Sequence, residues 1–234
     1  MQNPTGTSHI FQRIAKRYDF MNRLMTFGQD VRWRRKAAQR LAKWAPKKLL
    51  DLAAGTGDFA LQACYTLSSL TEVYLVDITP EMLDLAYDKR PPHISPKWHM
   101  VIADAHLLPF EDNSFDAVTV GYGIRNFTDR RRALQEIHRV LRPKGVCMIL
   151  ETGMPRHPLW KHLFSFYMRT YVRGLGFIVA GDAQAYSYLF ESTTTFPHRE
   201  EFLHLCREVG FAITNYTSFL GGVSILYELH KPTY

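Results

Sequence analysis

Cysteine is scarce. The three present in 234 residues, Cys64, Cys147 and Cys206, are odd in number and widely spaced, with no CxxC or histidine-pair spacing. That argues against both a disulfide framework and a zinc site, so no metal is expected and a reducing, cytoplasmic setting fits best. No stretch has the length and apolarity of a membrane span, and the N-terminus MQNPTGTSHI lacks the charged-then-apolar order of a secretory leader. A chain made in soluble form is the expectation. Internal repeats and low-complexity tails are also missing. What remains is 46% hydrophobic and 22% charged, the composition of one large α/β domain with a buried sheet.

Acid is the charge in deficit: 22 Asp and Glu face 29 Lys and Arg, a formal net charge of +7. The excess suggests an acidic partner, be it nucleic acid, an anionic membrane surface or a charged cofactor. Nucleic acid is disfavoured because the aromatic signature of an RNA-binding sheet is lacking.

Two helical patterns open the chain. From Ser8 to Asp19 the residues Ile10, Phe11, Ile14, Ala15 and Tyr18 fall on one face. From Asp30 to Trp44 the residues Trp33, Ala37, Leu41 and Trp44 share a face, with Arg32, Arg34, Arg35, Lys36, Arg40 and Lys43 largely elsewhere. After Pro46 strands alternate with helices: LLDLA, a helix from Asp58 to Leu67, EVYLVD, a helix from Pro80 to Lys89, KWHMVIAD, FDAVTVGY, a helix from Asp129 to Leu141, the turn Arg142 to Gly145, and VCMILE. Such alternation implies a parallel sheet with right-handed crossovers, whose ligands sit at the strands' C-terminal ends. An aromatic, basic stretch from Thr152 to Gly181 exceeds an ordinary connection and reads as a helical insertion. A helix from Pro197 to Val209 then precedes FAITNYTSF and VSILYELHK, antiparallel across Leu220-Gly221-Gly222.

The stretch KLLDLAAGTGD, Lys48 to Asp58, is a buried strand feeding a glycine turn, which brings backbone N–H groups close to a ligand. Any strand-to-helix turn can carry two glycines. Gly55-x-Gly57-x-x-Ala60 also satisfies a dinucleotide fingerprint, with Asp77 about 20 residues on at the ribose position, so a nicotinamide or flavin enzyme is a rival. Against it, Asp51 beside the turn would repel a pyrophosphate and welcome a cationic amino group. S-adenosylmethionine has that arrangement, with its ribose diol for Asp77 and its adenine amino group for Asp104-Ala105.

In order, LLDLAAGTGD, VDITPEML, ADAHLLPFEDNSFDAV and RVLRPKG resemble the class I S-adenosylmethionine-dependent methyltransferase pattern over about Leu49 to Glu151. Three further stretches, YDFMNRLMTFGQDVRWRRK, VGYGIRNFTDRRRAL and YSYLFESTTTFP, are similar to signatures of the ubiquinone/menaquinone biosynthesis C-methyltransferases. Departures from that pattern are Ala54, Lys144, Thr152-Gly153 and Tyr227, and none removes a cofactor ligand.

The resemblance implies an α/β, Rossmann-like fold: a mostly parallel seven-stranded sheet, an antiparallel last strand and helices on both faces. One domain, 1–234, would comprise a helical cap (1–45), a cofactor core (46–151), an insertion (152–196) and a C-terminal helix and strand pair (197–234). Gly55, Thr56 and Gly57 would line the methionine half, Asp77 the ribose, Asp104-Ala105 the adenine, and Gly121 the floor beside the transferred methyl. The implied reaction is methylation of a ring carbon of a polyprenylated quinol such as demethylmenaquinol. Rival functions are a methyltransferase of another lipid or small phenol and a non-catalytic basic S-adenosylmethionine-binding module.

Carbon methylation needs an ionised ring hydroxyl, yet a phenol has a pKa of about 10. Arg125, after strand four, stays protonated and suits charge-assisted bonding to a developing phenolate, with Asn126 orienting the same oxygen. A loop-fixing hydrogen bond is the plainer role for this pair. Tyr18 or Asp19 would relay the proton; a stacked aromatic and a helix-capping acid are the plainer alternatives. The insertion's Leu159, Trp160, Leu163, Phe164, Phe166, Tyr167, Met168, Tyr171, Val172, Leu175, Phe177 and Ile178 would wall a tail tunnel. With Arg156, Lys161, Arg169 and Arg173 among them, transient contact with the inner face of a membrane is expected; a cap packed on the sheet with its charges outward is the alternative. A homo-oligomer is left open, as is the choice between a naphthoquinol and a benzoquinol.

Overall fold

A computed structural model describes residues 6–176 and 183–233. The chain runs α1 (Gly6–Thr26), α2 (Gln29–Leu41), β1 (Lys48–Leu52), α3 (Asp58–Thr66), β2 (Glu72–Asp77), α4 (Pro80–Asp88), β3 (Lys97–Ile102), β4 (Phe115–Gly121), α5 (Arg130–Val140) and β5 (Leu141–Thr152). It continues with α6 (Pro158–Tyr167), a wider π turn (Met168–Val172), α7 (Arg173–Leu175), α8 (Ala183–Thr195), α9 (Arg199–Val209), β6 (Ala212–Phe219) and β7 (Ser224–His230).

The seven strands form one sheet in the order β3-β2-β1-β4-β5-β7-β6. Pairings among β1 to β5 are parallel, and β7 is antiparallel to both of its neighbours. This is the expected architecture. The order reverses between β1 and β4, so the crevice at their C-terminal ends is the place for a ligand.

Both faces of the central strands are apolar, as they must be when helices cover both sides. On one face Leu50, Val118 and Ile149 pack under α5 and α9, with Leu134, Ile137, Phe202 and Cys206. On the other, Leu49, Leu75, Ala117 and Met148 pack under α2 and α3, with Trp33, Ala37, Leu41, Phe59 and Ala63. A smaller cluster of Met21, Phe164, Met168 and Val172 joins α1 to the insertion.

Three expectations need correction. The first helix does not stop at Asp19 but carries YDFMN on to Thr26, because Met21 is wholly buried against the insertion. The second ends at Leu41, and Trp44, 37% exposed, leaves its apolar face. Arg34, grouped with the cations largely off that apolar face, is buried. The segment Arg142–Gly145 is a bulge inside β5, not a free turn: pairing slips from Phe115 with Leu141 to Ala117 with Val146. Lys144 takes φ 66°, and its N–H donates to the Lys231 carbonyl at 2.8 Å, which keeps the strand paired. The side chains of Ile10, Phe11 and Ile14, and the whole of Phe177 and Ile178, lie outside the described residues.

Candidate active site

The crevice between β1 and β4 is a cleft of about 110 Å³ lined in part by Gly55, Asp77, Asp104, Ala105, Gly121 and Tyr122. Strand geometry places these residues: β1, β2 and β4 end at one edge, and the loops that follow supply the rest. Asp77 is locked in place. Its Oδ2 accepts from the Gly55 N–H at 2.8 Å and its Oδ1 from the Thr79 N–H at 2.9 Å. Burial raises its pKa, against the lowering effect of those backbone donors. Asp104 is half-exposed beyond β3, its Oδ1 accepting from the His106 N–H at 2.9 Å. Gly121 is small by necessity, since a Cβ there would stand 3.0 Å from the Phe59 ring.

Gly57 does not line the cleft. Its N–H is spent on the Ala54 carbonyl, and its φ is +75°, while a Cβ would meet Ala86 at 3.0 Å and Leu75 at 3.1 Å. Gly57, expected at the methionine half, thus sits in helix–strand packing, and Gly55 is the one of the pair that lines the cleft. A narrow branch under the glycine turn takes in Asp51, Thr56, Asp58 and Arg34. Asp51 is buried, accepting from the Ala60 N–H at 3.0 Å and the Thr119 hydroxyl at 2.7 Å. Desolvation outweighs both bonds and lifts its pKa to about 7.

Beyond Tyr18 and Tyr122, which line both spaces, opens an apolar chamber of about 430 Å³. Its walls include Met25, Trp33, Trp160, Phe164, Met168 and Leu189, and Arg125 reaches it from the turn Ile124–Asn126. Of the residues expected in the tunnel, Trp160, Leu163, Phe164, Tyr167, Met168 and Val172 line it. Leu159, Phe166 and Tyr171 are exposed instead, at 64%, 68% and 37%.

Arg125 is buried, and its Nη1 donates to Glu151 Oε1 at 2.7 Å and to the Tyr122 carbonyl. Its backbone N–H donates to Glu151 Oε2 at 3.1 Å. Burial would depress its pKa, but Glu151 overcomes this and raises it, so the guanidinium is charged. Its buried Nε has no hydrogen-bond partner. Asn126 points to the cofactor cleft, its Oδ1 accepting from the Tyr188 hydroxyl at 3.0 Å. Tyr18 lines the cleft, its narrow branch and the chamber. Burial raises its pKa while Arg125, Asn22 and Arg34 oppose the rise, so it is a neutral phenol at physiological pH.

Asp19 is elsewhere. Its Oδ1 accepts from the Thr56 hydroxyl at 2.5 Å and its Oδ2 meets Lys89 Nζ at 2.7 Å. Both oxygens, expected in a proton relay, are engaged in latching α1 to the glycine turn, and the residue lines neither the cleft nor the chamber. Lys89 also binds Asp58 at 2.6 Å, Arg23 bridges Asp58 and Asp30, and Arg34 binds Asp30 at 2.7 Å. Three acids and three bases thus join α1, α2, α3 and the end of α4. Sequence reasoning missed Tyr122 and Arg34; the spacing of Asp30 and Arg34, four apart on a helix, was the available signal for the latter.

A structure from Methanococcus maripaludis, grouped with the S-adenosyl-L-methionine-dependent methyltransferases, superposes at TM-score 0.66 over 100% of this chain and 98% of its own, at 18% identity. The fold is that of the class I methyltransferases. The model of the ubiE/COQ5 methyltransferase family matches residues 2–231. Similar proteins include the demethylmenaquinone methyltransferase of Thermotoga maritima, 39% identical over 88% of this chain and 87% of that protein. The ubiquinone/menaquinone biosynthesis C-methyltransferase UbiE of Geotalea uraniireducens is 38% identical over 95% and 94%. The chain belongs to the ubiE/COQ5 methyltransferase family, and it is an enzyme whose methyl donor is S-adenosylmethionine.

Proposed function

We propose that this enzyme methylates a ring carbon of a polyprenylated quinol, demethylmenaquinol being the substrate best supported, with the donor in the cleft and the acceptor in the chamber. The observation that carries the reading is the contact of the two spaces: a large apolar chamber meets an acid-lined cleft at Tyr18 and Tyr122. Relatives named for demethylmenaquinone support the choice of acceptor.

The donor set of the cleft suits S-adenosylmethionine. Asp77, held by two backbone N–H groups, has lone pairs left for a ribose diol; Asp104 and Ala105, lining the cleft after β3, would take the adenine edge; Asp51 offers a carboxylate to an ammonium. The donor supplies an electrophilic methyl group on a sulfonium. Gly121 leaves room on the floor, with Thr56 at the methionine end.

On the acceptor side, the guanidinium charge of Arg125 at the chamber wall stabilises the developing phenolate, while Glu151 fixes the guanidinium plane. Tyr18, neutral and flanked by the charges of Arg125 and Arg34, takes the proton of the ring hydroxyl as it gives its own to water at the cleft opening. Asn126 orients the oxygen or a water from the cleft side.

The assay is transfer from labelled S-adenosylmethionine to a short-chain demethylmenaquinone, reduced or oxidised. Product from the reduced form alone is expected; equal product from both would exclude phenolate-driven carbon methylation.

No described helix is long and apolar enough to cross a membrane. α6 carries exposed Leu159, Lys161 and Phe166, and the π turn that follows it carries exposed Arg169. That combination fits shallow, reversible docking on an anionic bilayer. Sedimentation with phosphatidylglycerol vesicles, and not with neutral ones, is the expected result; a Phe166→Ser variant that binds as well as the parent would count against this face.

A further inference from the structure

The narrow branch under the glycine turn holds one buried acid and one buried base. Asp51 is the penultimate residue of β1, and Arg34 reaches in from α2. Arg34 is only partly engaged. Its Nη1 donates to Asp30 at 2.7 Å and lies 4.0 Å from Asp58, while its Nε and Nη2 have no acceptor among the described residues. Its Nε stands 3.9 Å from where a Cβ on Gly121 would be, over the floor shared by the branch and the main cleft. Asp51 is likewise unsaturated, since each oxygen accepts one bond and keeps a lone pair.

We infer that Asp51 and Arg34 form a clamp for the amino-acid end of the methyl donor, Arg34 taking the α-carboxylate as Asp51 takes the α-ammonium. A zwitterion answers both charges at once, and neither buried ion is then left with an unmet partner. A quinol oxygen in the chamber, which Arg34 also borders, would leave Asp51 without a complement. Arg125 already gives the chamber a guanidinium. Asp30 and Asp58 keep Arg34 in place without consuming its remaining donors, and the cation lies over the Tyr122 ring, 5.1 Å from its centroid. The inference rests on S-adenosylmethionine being the ligand of the cleft.

The test is calorimetric titration of the full chain and its Arg34→Met and Arg34→Lys variants. S-adenosylhomocysteine carries the amino-acid end; 5′-methylthioadenosine lacks it. Arg23 and Lys89 still pair Asp30 and Asp58 in both variants, so the helices keep their ionic contacts. Arg34→Met is expected to weaken S-adenosylhomocysteine on the order of 10- to 100-fold, with methylthioadenosine changing less than about threefold and Arg34→Lys falling between. Equal losses for both ligands would assign Arg34 to the fold alone and overturn the clamp. So would an unchanged S-adenosylhomocysteine affinity, with or without a raised KM for the acceptor. Failure of the parent chain to bind S-adenosylhomocysteine would remove the donor assignment itself, and the clamp with it.

Discussion

The donor cleft and the acceptor chamber share Tyr18 and Tyr122, yet they are built by opposite means. The cleft is made of strand ends and the loops after them, and much of its binding surface is backbone or short acids fixed by backbone, as with Asp77. The chamber is assembled from α1, α2, the turn after β4, the end of β5, α6 and the π turn after it, α8 and the β6–β7 connection, and its wall is largely apolar. Rigidity is therefore inherited from the sheet in one and earned by helix packing in the other. Arg125, one of the charged groups brought to the chamber, has a buried partner from β5 to hold it there.

The largest effect expected from disturbing this division is at that pair. Arg125→Ala should lower turnover by about 100- to 1000-fold with S-adenosylhomocysteine affinity retained. It should also cost about 3–5 kcal/mol in urea unfolding, because Glu151 is left buried and unpaired. The double variant Arg125→Ala/Glu151→Gln should regain most of the stability and none of the turnover. A double variant that regained turnover would place Arg125 among purely structural residues.

A smaller effect belongs to the cleft. Asp51 releases its proton near 3.8 when unfolded and at about 7 in the folded chain, so the folded state binds more protons between these values. Its contribution to stability is fully present below pH 3.8 and is lost as pH rises through 7. Asp58 works in the other direction. Burial alone would raise it, but Arg34, Lys89 and Arg23 hold it at about 2, so its contribution is present above 3.8 and lost as pH falls through 2. Asp51→Asn can still satisfy Ala60 and Thr119, and it should be about 1–3 kcal/mol more stable than the parent at pH 8, with no gain near pH 4. It should bind S-adenosylhomocysteine more weakly at pH 8. Urea titrations at the two pH values check the stability, and an equal gain at both would remove ionisation of Asp51 from the account.

The same contrast explains what the sequence made legible. The strands, their order of appearance and the acids Asp51, Asp77 and Asp104 lie in successive strand–turn–helix units, where local pattern and position coincide. Arg125-Asn126 could be placed for the same reason, directly after β4. The packing around Gly57 was not legible, because a glycine required by packing and one required by a ligand look alike in a chain. The latch at Asp19 was not legible because its partners, Thr56 and Lys89, come from elements distant in sequence. The insertion's helices could be foreseen, but not which of their apolar residues face inward. Phe164, Met168 and Val172, four apart, turn toward α1, while Leu159 and Phe166 on the same segment face solvent.

The separation of donor and acceptor spaces is tested most directly by filling one of them. Met168 is buried in the chamber wall and lines no part of the cleft. In a Met168→Trp variant, the KM for a two-prenyl demethylmenaquinol should rise by about tenfold or more, as overpacking takes the space of the acceptor, while the Kd of S-adenosylhomocysteine stays within about twofold. Parallel weakening of both ligands, or an unchanged acceptor KM, would contradict the account.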